Sequence, residues 1–269
     1  MSLNILSAIQ FKPKLATCQA DIRDNFRNCE SLIHIAYKLG SNLVVFPELC
    51  LTGYNHMSPE DAFKIAESID GPTFKQMRGI ALSLKAVVAW GYVEIDKDGR
   101  LYNSATMVGP DGLVITNYRK INLFSCDFLW ARPGDRPATI VDTEFGKTSI
   151  VICRDLRNKI PTNIPRTASD DQGESGTNLW SGAKIDLVAA CTNWGKGGGY
   201  PPTTFMDFAA NVKCTVVVAD RWGDEMSSES HGEFVSEFGS GKSVIITKDW
   251  NVHTDGMIHN SNCVVSAAL

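Results

Sequence analysis

Short apolar runs alternate along this chain with longer segments of helical periodicity, and this alternation constrains the fold more than any other feature. Residues 43–46 and 215–219 form compact apolar runs that predict buried strands, whereas residues 21–39 and 72–84 predict helices. Strands and helices that alternate in this way are typical of α/β proteins. No shift in composition marks a domain boundary, so we predict one α/β domain with a mixed sheet over residues 1–269.

Turn signals and further apolar runs extend the pattern to the rest of the chain. Ser58 and Pro59 predict the start of a helix, because serine caps helices and proline is favoured at their first position. Residues 158–182 are polar and rich in turn-forming residues, which predicts a surface excursion or lid. The remaining predicted elements are strands over residues 3–11, 86–95, 101–108, 113–118, 139–142, 148–152, 185–190, 243–247 and 262–267, and a helix over residues 203–212.

Composition and charge exclude several classes of function. Hydrophobic residues make up 43% of the chain and charged residues 21%, which is typical of a soluble globular protein. The formal net charge is −4 and no basic cluster with interleaved aromatic residues is present, so nucleic acid is not an expected partner. No apolar stretch reaches the ~18 residues that a membrane span needs, and the first residues lack the pattern of a signal peptide. We therefore expect a cytoplasmic protein that contacts neither nucleic acid nor membrane.

The cysteine and histidine patterns argue against disulfides and metal sites. The eight cysteines are dispersed through the chain, several of them inside apolar runs, which is typical of buried thiols in a reducing compartment. No Cys-x-x-Cys pair is present, and the five histidines show no spacing typical of metal ligands. We therefore expect neither a metal nor another cofactor.

A thiol, a carboxylate and an ammonium each stand where a predicted strand ends, at Cys153, Glu48 and Lys120. Open α/β sheets place reactive groups at the carboxyl ends of their strands, so these three side chains are candidates for one site. In that site Glu48 would act as general base toward Cys153, and Lys120 would favour the thiolate and neutralise a tetrahedral intermediate. Such a set permits acyl transfer without histidine.

Each of these residues alone has an ordinary structural explanation. A cysteine at a strand end is most often an inert core residue. Glu48 is compatible with an exposed loop, and Lys120 with a solvated strand end. Their joint occurrence favours catalysis, because an activated nucleophile needs both a base and a nearby positive charge.

The sequences around the three residues are similar to the signature blocks of the nitrilase superfamily of carbon-nitrogen hydrolases, and they occur in the same order. Weaker similarity continues through residues 209–211 and 218–223. The three blocks are FPELCLTGY at residues 46–54, YRKINLF at residues 118–124 and VICRDLR at residues 151–157.

This resemblance implies both an architecture and a division of roles. The family fold is a four-layer α-β-β-α sandwich, and its members pair as homodimers or larger homo-oligomers. Transferred to this sequence, the family pattern makes Glu48 the general base, Lys120 the cation that stabilises the intermediate and Cys153 the nucleophile that becomes acylated.

The chain departs from the family pattern at three positions. Many members carry a second glutamate between the lysine block and a Pro-Gly-Asp sequence, but residues 125–130 contain none. Asp127 is the expected substitute and is one methylene shorter. Arg154 replaces an aromatic residue that is common after the nucleophile, and it either receives a substrate carboxylate or points outward. Asp220 stands where an asparagine is common. These departures affect the substrate more than the chemistry.

Three further residues are candidates for the walls of the substrate pocket. Asn193 and Trp194 follow a predicted buried strand, and they either contact the substrate or serve in packing. Tyr54 is expected to pack the loop that carries Glu48, with substrate contact as the alternative. Asp155 is expected to hold the cysteine turn through backbone hydrogen bonds rather than to act as an acid or base.

The sequence therefore predicts an amidase or carbamoylase that cleaves a non-peptide carbon-nitrogen bond through a cysteine thioester and releases ammonia. A linear amide or N-carbamoyl compound is the expected substrate, because amidases and carbamoylases predominate in the family that the chain resembles. Arg154 favours an acidic substrate. The alternatives are a nitrilase or an amide-forming acyltransferase on the same fold, and a catalytically silent scaffold or binding protein.

Overall fold

The computed structural model describes residues 3–56, 58–157, 183–195, 202–225, 237–254 and 261–269, and the predicted excursion at residues 158–182 lies outside these ranges. The described helices are α1 (Gln19–Leu39), α2 (Pro59–Ile65), α3 (Pro72–Leu84), α4 (Asp127–Trp130) and α5 (Thr203–Val212), and Cys153–Leu156 form a 3-10 turn. The described strands are β1 (Ile5–Gln10), β2 (Leu43–Val45), β3 (Val87–Ile95), β4 (Leu101–Val108), β5 (Val114–Arg119), β6 (Val141–Thr143), β7 (Gly146–Ile152), β8 (Leu187–Thr192), β9 (Thr215–Asp220), β10 (Trp222–Glu225), β11 (Glu237–Ser240), β12 (Val244–Ile246), β13 (Val252–Thr254) and β14 (Cys263–Ala268).

The described strands form two six-stranded mixed sheets and a separate two-stranded ribbon, β10-β11. The first sheet has the order β14-β1-β2-β3-β4-β5, in which β1, β2 and β3 are parallel and the flanking strands are antiparallel. The second has the order β13-β12-β9-β8-β7-β6, with β7, β8 and β9 parallel. Parallel neighbours require crossover connections, and α1, α3 and α5 lie in three of them.

Side-chain alternation along the strands produces four layers. Leu43 and Val45 of β2 pack into the core shared with the second sheet, whereas Val44 and Phe46 pack into the core shared with α1 and α3. Phe208 of α5 joins the core of the second sheet. The layers therefore follow the order helices, first sheet, second sheet, helix. The predicted α-β-β-α sandwich is confirmed.

The long predicted elements agree best with the structure. The helices at residues 72–84 and 203–212 begin and end where predicted, and Ser58 caps α2 by accepting the backbone N–H of Asp61 at 3.1 Å. Periodicity missed α4, β10, β11 and β13, because elements of three or four residues are too short to show a period. The extent of the domain, residues 1–269, stays a prediction. Within the described ranges, no helix has the length and hydropathy that a membrane span requires.

Candidate active site

Three loops at the carboxyl ends of strands bring Glu48, Lys120 and Cys153 into one region of the interior. Glu48 lies in the turn after β2, Lys120 directly follows β5, and Cys153 directly follows β7. Glu48 and Lys120 are fully buried, and Cys153 is 5% exposed. The carboxylate and the ammonium therefore come from the first sheet and the thiol from the second, so the site lies between the two sheets.

The Lys120 ammonium lies between two carboxylates. Its Nζ donates to Oε1 of Glu48 at 2.7 Å and to Oδ2 of Asp127 at 2.6 Å. All three side chains are fully buried, and Asp127 is the first residue of α4. The backbone N–H of Phe124 also donates to Oδ2 of Asp127, at 3.1 Å. Asp127 thus lies where a second acidic residue beside the lysine is expected, and its role toward substrate stays a prediction.

Sequence analysis did not identify Asn103, which links the two carboxylates. Its Nδ2 donates to Oε1 of Glu48 at 2.7 Å and to Oδ1 of Asp127 at 2.9 Å. Asn103 lies in β4 and is fully buried. The signal in the sequence is a carboxamide inside a largely apolar strand, since a buried amide needs hydrogen-bond partners.

Two glycines permit the close backbone contacts that place Glu48 and Lys120. A Cβ on Gly91 of β3 would lie 2.8 Å from Cα of Glu48. A Cβ on Gly134 would overlap the carbonyl oxygen of Arg119, and the Gly134 N–H donates to the carbonyl oxygen of Lys120 at 2.8 Å. Any larger residue at either position would push the Glu48 or Lys120 backbone away from the site.

Cys153 occupies a strained turn that a buried carboxylate holds in place. Its φ of 42° lies in a region that non-glycine residues rarely adopt. The carboxylate of Asp155 accepts the backbone N–H of Ile152 at 3.3 Å and that of Asn122 at 3.1 Å. The Tyr118 hydroxyl donates to the same carboxylate at 2.9 Å. The prediction that Asp155 holds the cysteine turn through backbone hydrogen bonds is confirmed.

The backbone of Asn193 contacts both the carboxylate and the thiol. Its N–H donates to Oε2 of Glu48 at 3.1 Å, and its carbonyl oxygen accepts from Sγ of Cys153 at 3.7 Å. The neighbouring Trp194 ring packs edge-on against Phe205, with centroids 4.9 Å apart. Trp194 therefore has a packing role, and substrate contact by either residue stays a prediction.

Tyr54 and Arg154 both pack against the segment at residues 123–124. The Tyr54 hydroxyl donates to the carbonyl oxygen of Phe124, and the ring centroid lies 5.7 Å from Nζ of Lys120. Tyr54, in the segment that follows Glu48, therefore packs against the loop that follows Lys120. Arg154 is buried, and its Nη1 donates to the carbonyl oxygen of Leu123 at 2.9 Å. The alternative that Arg154 points outward is wrong, because its guanidinium also stacks on the Phe124 ring at 5.6 Å.

Burial and neighbouring charges determine the ionisation of the three groups. Burial raises the pKa of Glu48, and the Asp127 charge adds to this effect against the opposing Lys120. Burial alone would lower the pKa of Lys120, but the carboxylates of Asp127 and Glu48 outweigh it and raise that pKa. Burial, and then the Glu48 charge, holds the pKa of the Cys153 thiol well above its usual range. At neutral pH the lysine is therefore charged and the resting thiol is protonated.

The candidate ligands for a metal are already occupied. Among the described residues, no group of three or more His, Cys, Asp or Glu side chains is arranged to hold a metal ion. The carboxylates of Glu48 and Asp127 bind the Lys120 ammonium. The eight cysteines are present as thiols.

The chain matches a known family model and several curated proteins. The family model described as carbon-nitrogen hydrolase matches residues 6–171. A nitrilase from Pyrococcus abyssi is 41% identical over 132 residues, which cover 49% of this chain and 50% of the relative. An omega-amidase from Mus musculus is 32% identical over 143 residues, covering 50% of each chain. The chain therefore spans about half the length of these curated relatives.

Solved structures share the fold at low sequence identity. An amidase from Nesterenkonia sp. superposes with a TM-score of 0.77 at 18% identity, covering 99% of this chain and 90% of that chain. A mutant of an amidase from Nesterenkonia sp. AN1, in complex with butyramide, superposes with a TM-score of 0.76 at 16% identity, covering 99% and 90%. These similarities support the same four-layer architecture.

Proposed function

The chain belongs to the carbon-nitrogen hydrolase family, and we propose that it is an amidase or carbamoylase acting on a small linear amide or N-carbamoyl compound. One observation carries this proposal. A buried ammonium lies between two carboxylates, and one of these is linked through the Asn193 backbone to the Cys153 thiol. Cys153 is the nucleophile, Glu48 the general base and Lys120 the cation that stabilises the intermediate.

The link to the thiol distinguishes Glu48 from Asp127 as the base. In the described part of the chain, Oε2 of Glu48 accepts one hydrogen bond, from the Asn193 N–H, so a lone pair remains for the thiol proton. Oδ1 of Asp127 also accepts a single hydrogen bond, from Asn103, but the Asn193 backbone that accepts the Cys153 thiol donates to Glu48. The raised pKa of Glu48 also makes its carboxylate a better proton acceptor near neutral pH.

Lys120 provides a fixed positive charge. Because its pKa is raised, it keeps its proton at neutral pH and stabilises negative charge instead of accepting a proton. Two carboxylates and the Tyr54 ring hold the ammonium in place, so little reorganisation is needed when an oxyanion forms. Asp127 is thus a residue that orients the ammonium, in the place of the second family glutamate.

The reaction proceeds by acylation and deacylation. Glu48 takes the thiol proton as Sγ of Cys153 bonds to the amide carbon, and Lys120 stabilises the resulting oxyanion. The carbon-nitrogen bond breaks as Glu48 returns the proton to the leaving nitrogen, which departs as ammonia and leaves a thioester. Water then attacks the thioester carbon, and Glu48 accepts a proton from that water. The proton passes to the sulfur as the carbon-sulfur bond breaks, which releases the acid and restores the thiol.

The relatives support amides as the first substrate class to test. Two of them are named omega-amidase and protein N-terminal amidase, from Mus musculus and Saccharomyces cerevisiae. The relative from Pyrococcus abyssi is named nitrilase, so nitriles form the second class. The same triad can attack a nitrile carbon, because the base, cation and nucleophile serve both reactions.

Ammonia release tests the proposal. The purified protein and its Cys153→Ala variant are incubated with ω-amides of dicarboxylic acids, N-carbamoyl amino acids and aliphatic nitriles. We expect the parent protein to release ammonia from at least one amide or carbamoyl compound and the variant to release none. Turnover of nitriles alone would favour a nitrilase. If no compound is turned over and iodoacetamide does not label Cys153, the silent scaffold is the better account. Formation of a new amide from an added amine would indicate an acyltransferase.

A further inference from the structure

Asp220, the last residue of β9, is a fully buried carboxylate to which the proposed reaction gives no role. Its Oδ1 accepts the Thr192 hydroxyl at 2.9 Å and the backbone N–H of Trp194 at 2.7 Å. Its Oδ2 accepts the Ser240 hydroxyl at 3.0 Å and the backbone N–H of Lys242 at 2.9 Å. All four donors are neutral groups.

The four donors explain why a carboxylate is present here. Burying a charge is costly unless its oxygens are fully hydrogen-bonded, as they are at Asp220. An asparagine offers a single acceptor oxygen, whereas the backbone N–H groups of Trp194 and Lys242 both require one. A carboxylate rather than a carboxamide is therefore needed at residue 220, because two backbone N–H groups each require an acceptor oxygen.

One oxygen of Asp220 binds the residues on both sides of Asn193. Thr192 precedes Asn193 and Trp194 follows it, and both donate to Oδ1. Between these two residues, the backbone N–H of Asn193 donates a hydrogen bond to Glu48, and its carbonyl oxygen accepts one from the Cys153 thiol. We propose that Asp220 is a positioning residue that fixes the Asn193 backbone between the general base and the nucleophile. This proposal rests on the function proposed above.

The charge of Asp220 has a second consequence for the thiol. Four charged groups act on Cys153 or respond to its charge: Glu48, Lys120, Asp220 and Arg157. Burial and the Glu48 carboxylate contribute most to the raised pKa of Cys153, Asp220 raises it further, and Lys120 lowers it. Asp220 therefore helps to keep the thiol protonated before substrate binds.

Two substitutions separate the positioning role from the charge. In Asp220→Asn the carboxamide oxygen can replace Oδ1, so that the contacts beside Asn193 persist without the charge. Its NH2 can donate to Ser240, but the Lys242 N–H loses Oδ2 as an acceptor. Asp220→Ala removes both the contacts and the charge. Ser240→Ala is the matched control, because it removes one hydrogen bond from Oδ2, the oxygen of the same carboxylate that does not bind Thr192 and Trp194.

We expect Asp220→Ala to lower kcat about 100-fold with a smaller change in KM, because the base and nucleophile lose their fixed geometry. Asp220→Asn and Ser240→Ala should keep kcat within about tenfold. Retention of full kcat by Asp220→Ala would overturn the positioning role. If Asp220→Ala does not fold, a 100-fold loss in Asp220→Asn matched by Ser240→Ala would also overturn it, since both would then report general disruption.

Alkylation of the thiol provides a readout that needs no substrate. Iodoacetamide labelling of the Cys153 peptide at about pH 8 should be faster in Asp220→Asn, because loss of a negative charge that acts on the thiol lowers the thiol pKa and raises the thiolate fraction. The exposed Cys18 serves as an internal standard. An unchanged rate would overturn the effect of the charge, and Ser240→Ala should match the parent protein. Failure here is distinct from failure of the amidase proposal, which ammonia release decides.

Discussion

Two pairs of buried carboxylates in this protein are stabilised in different ways. Glu48 and Asp127 share the Lys120 ammonium at 2.7 and 2.6 Å. Asp155 and Asp220 are equally buried, but neutral hydroxyl, amide and backbone N–H groups donate to them. The first pair lies on the first sheet's side of the site, and the second pair lies at the carboxyl ends of strands of the second sheet, Asp155 after β7 and Asp220 at the end of β9.

This difference separates the groups that exchange protons from the groups that hold the backbone. The ammonium compensates the charge of Glu48, yet Oε2 keeps room for a proton, so that Glu48 can change its charge during a reaction. Asp155 holds the turn at Cys153 through the backbone N–H of Ile152, and Asp220 holds the residues on both sides of Asn193. The pair that shares the ammonium is therefore expected to affect rate, most of all through Glu48, and the neutral-donor pair to control geometry and stability.

Removal of the shared ammonium should have the largest effect. Lys120→Met leaves two buried carboxylates without their cation, which is expected to cost about 3–5 kcal/mol of the free energy of unfolding and to abolish measurable turnover. Urea unfolding and ammonia release are the measurements. The control is the triple variant Glu48→Gln, Lys120→Met, Asp127→Asn, which should recover most of the stability but no activity. A Lys120→Met protein as stable as the parent would contradict the pairing.

Matched substitutions of the two carboxylates should have unequal effects on rate. Glu48→Gln removes the base and is expected to lower kcat by about 10²–10⁴-fold. Asp127→Asn keeps the shape of the second carboxylate and leaves Lys120 one charged partner, so a loss of about tenfold is expected. Steady-state kinetics with one amide substrate measures both. Equal losses would refute the assignment of Glu48 as the base, and full activity of Asp127→Ala would remove Asp127 from the site.

The pH dependence of stability should identify Asp155 as a carboxyl whose folded pKa is raised by burial. Above about pH 4, the ordinary value, the folded protein then binds a proton that the unfolded chain has released. The contribution of Asp155 to the free energy of unfolding therefore falls as pH rises from about 4 to the folded pKa, by up to about 1.4 kcal/mol per pH unit.

Asp155→Asn should flatten that dependence in urea unfolding experiments across the same pH range. The control is Asp142→Asn, because the Asp142 side chain is 87% exposed and its substitution should leave the slope unchanged. A slope in Asp155→Asn equal to that of the parent protein would show that burial does not perturb this carboxyl.

The smallest effect is expected at Tyr54. Tyr54→Phe removes the hydrogen bond to the Phe124 carbonyl oxygen but keeps the ring beside Lys120, so a loss of about 1 kcal/mol in stability is expected. The value of KM should change by less than about threefold if Tyr54 serves in packing alone. A large rise in KM would instead assign Tyr54 to substrate binding.

The sequence was sufficient to predict the functional side chains that lie at the ends of strands, but not the side chains that link these residues to one another. Glu48, Lys120 and Cys153 were predictable because each follows a strand that the sequence predicts, and the order of strands brings such ends together. Asn103 was missed because its role depends on which face of β4 it occupies and on partners 55 and 24 residues away. No local sequence pattern indicates contacts between residues so far apart in the chain.

The same limit applies to the supports of the site. Gly134 belongs to a recognisable Pro-Gly-Asp sequence, but its contact with Lys120 follows from the path of the chain after α4. Asp220 was noted only as a departure from the family, because its hydrogen bonds join residues 192–194 to residues 240–242 across the second sheet. Periodicity predicts elements, whereas these contacts depend on how the elements pack.

Acylation of Cys153 is the most direct test of the central claim. The protein is quenched with acid during turnover of its fastest amide substrate, digested, and examined by peptide mass spectrometry beside Cys153→Ala. The account predicts that the peptide containing Cys153 gains the mass of the acyl group, and that the variant neither gains this mass nor releases ammonia. An acyl group on another residue, or turnover that survives Cys153→Ala, would contradict it.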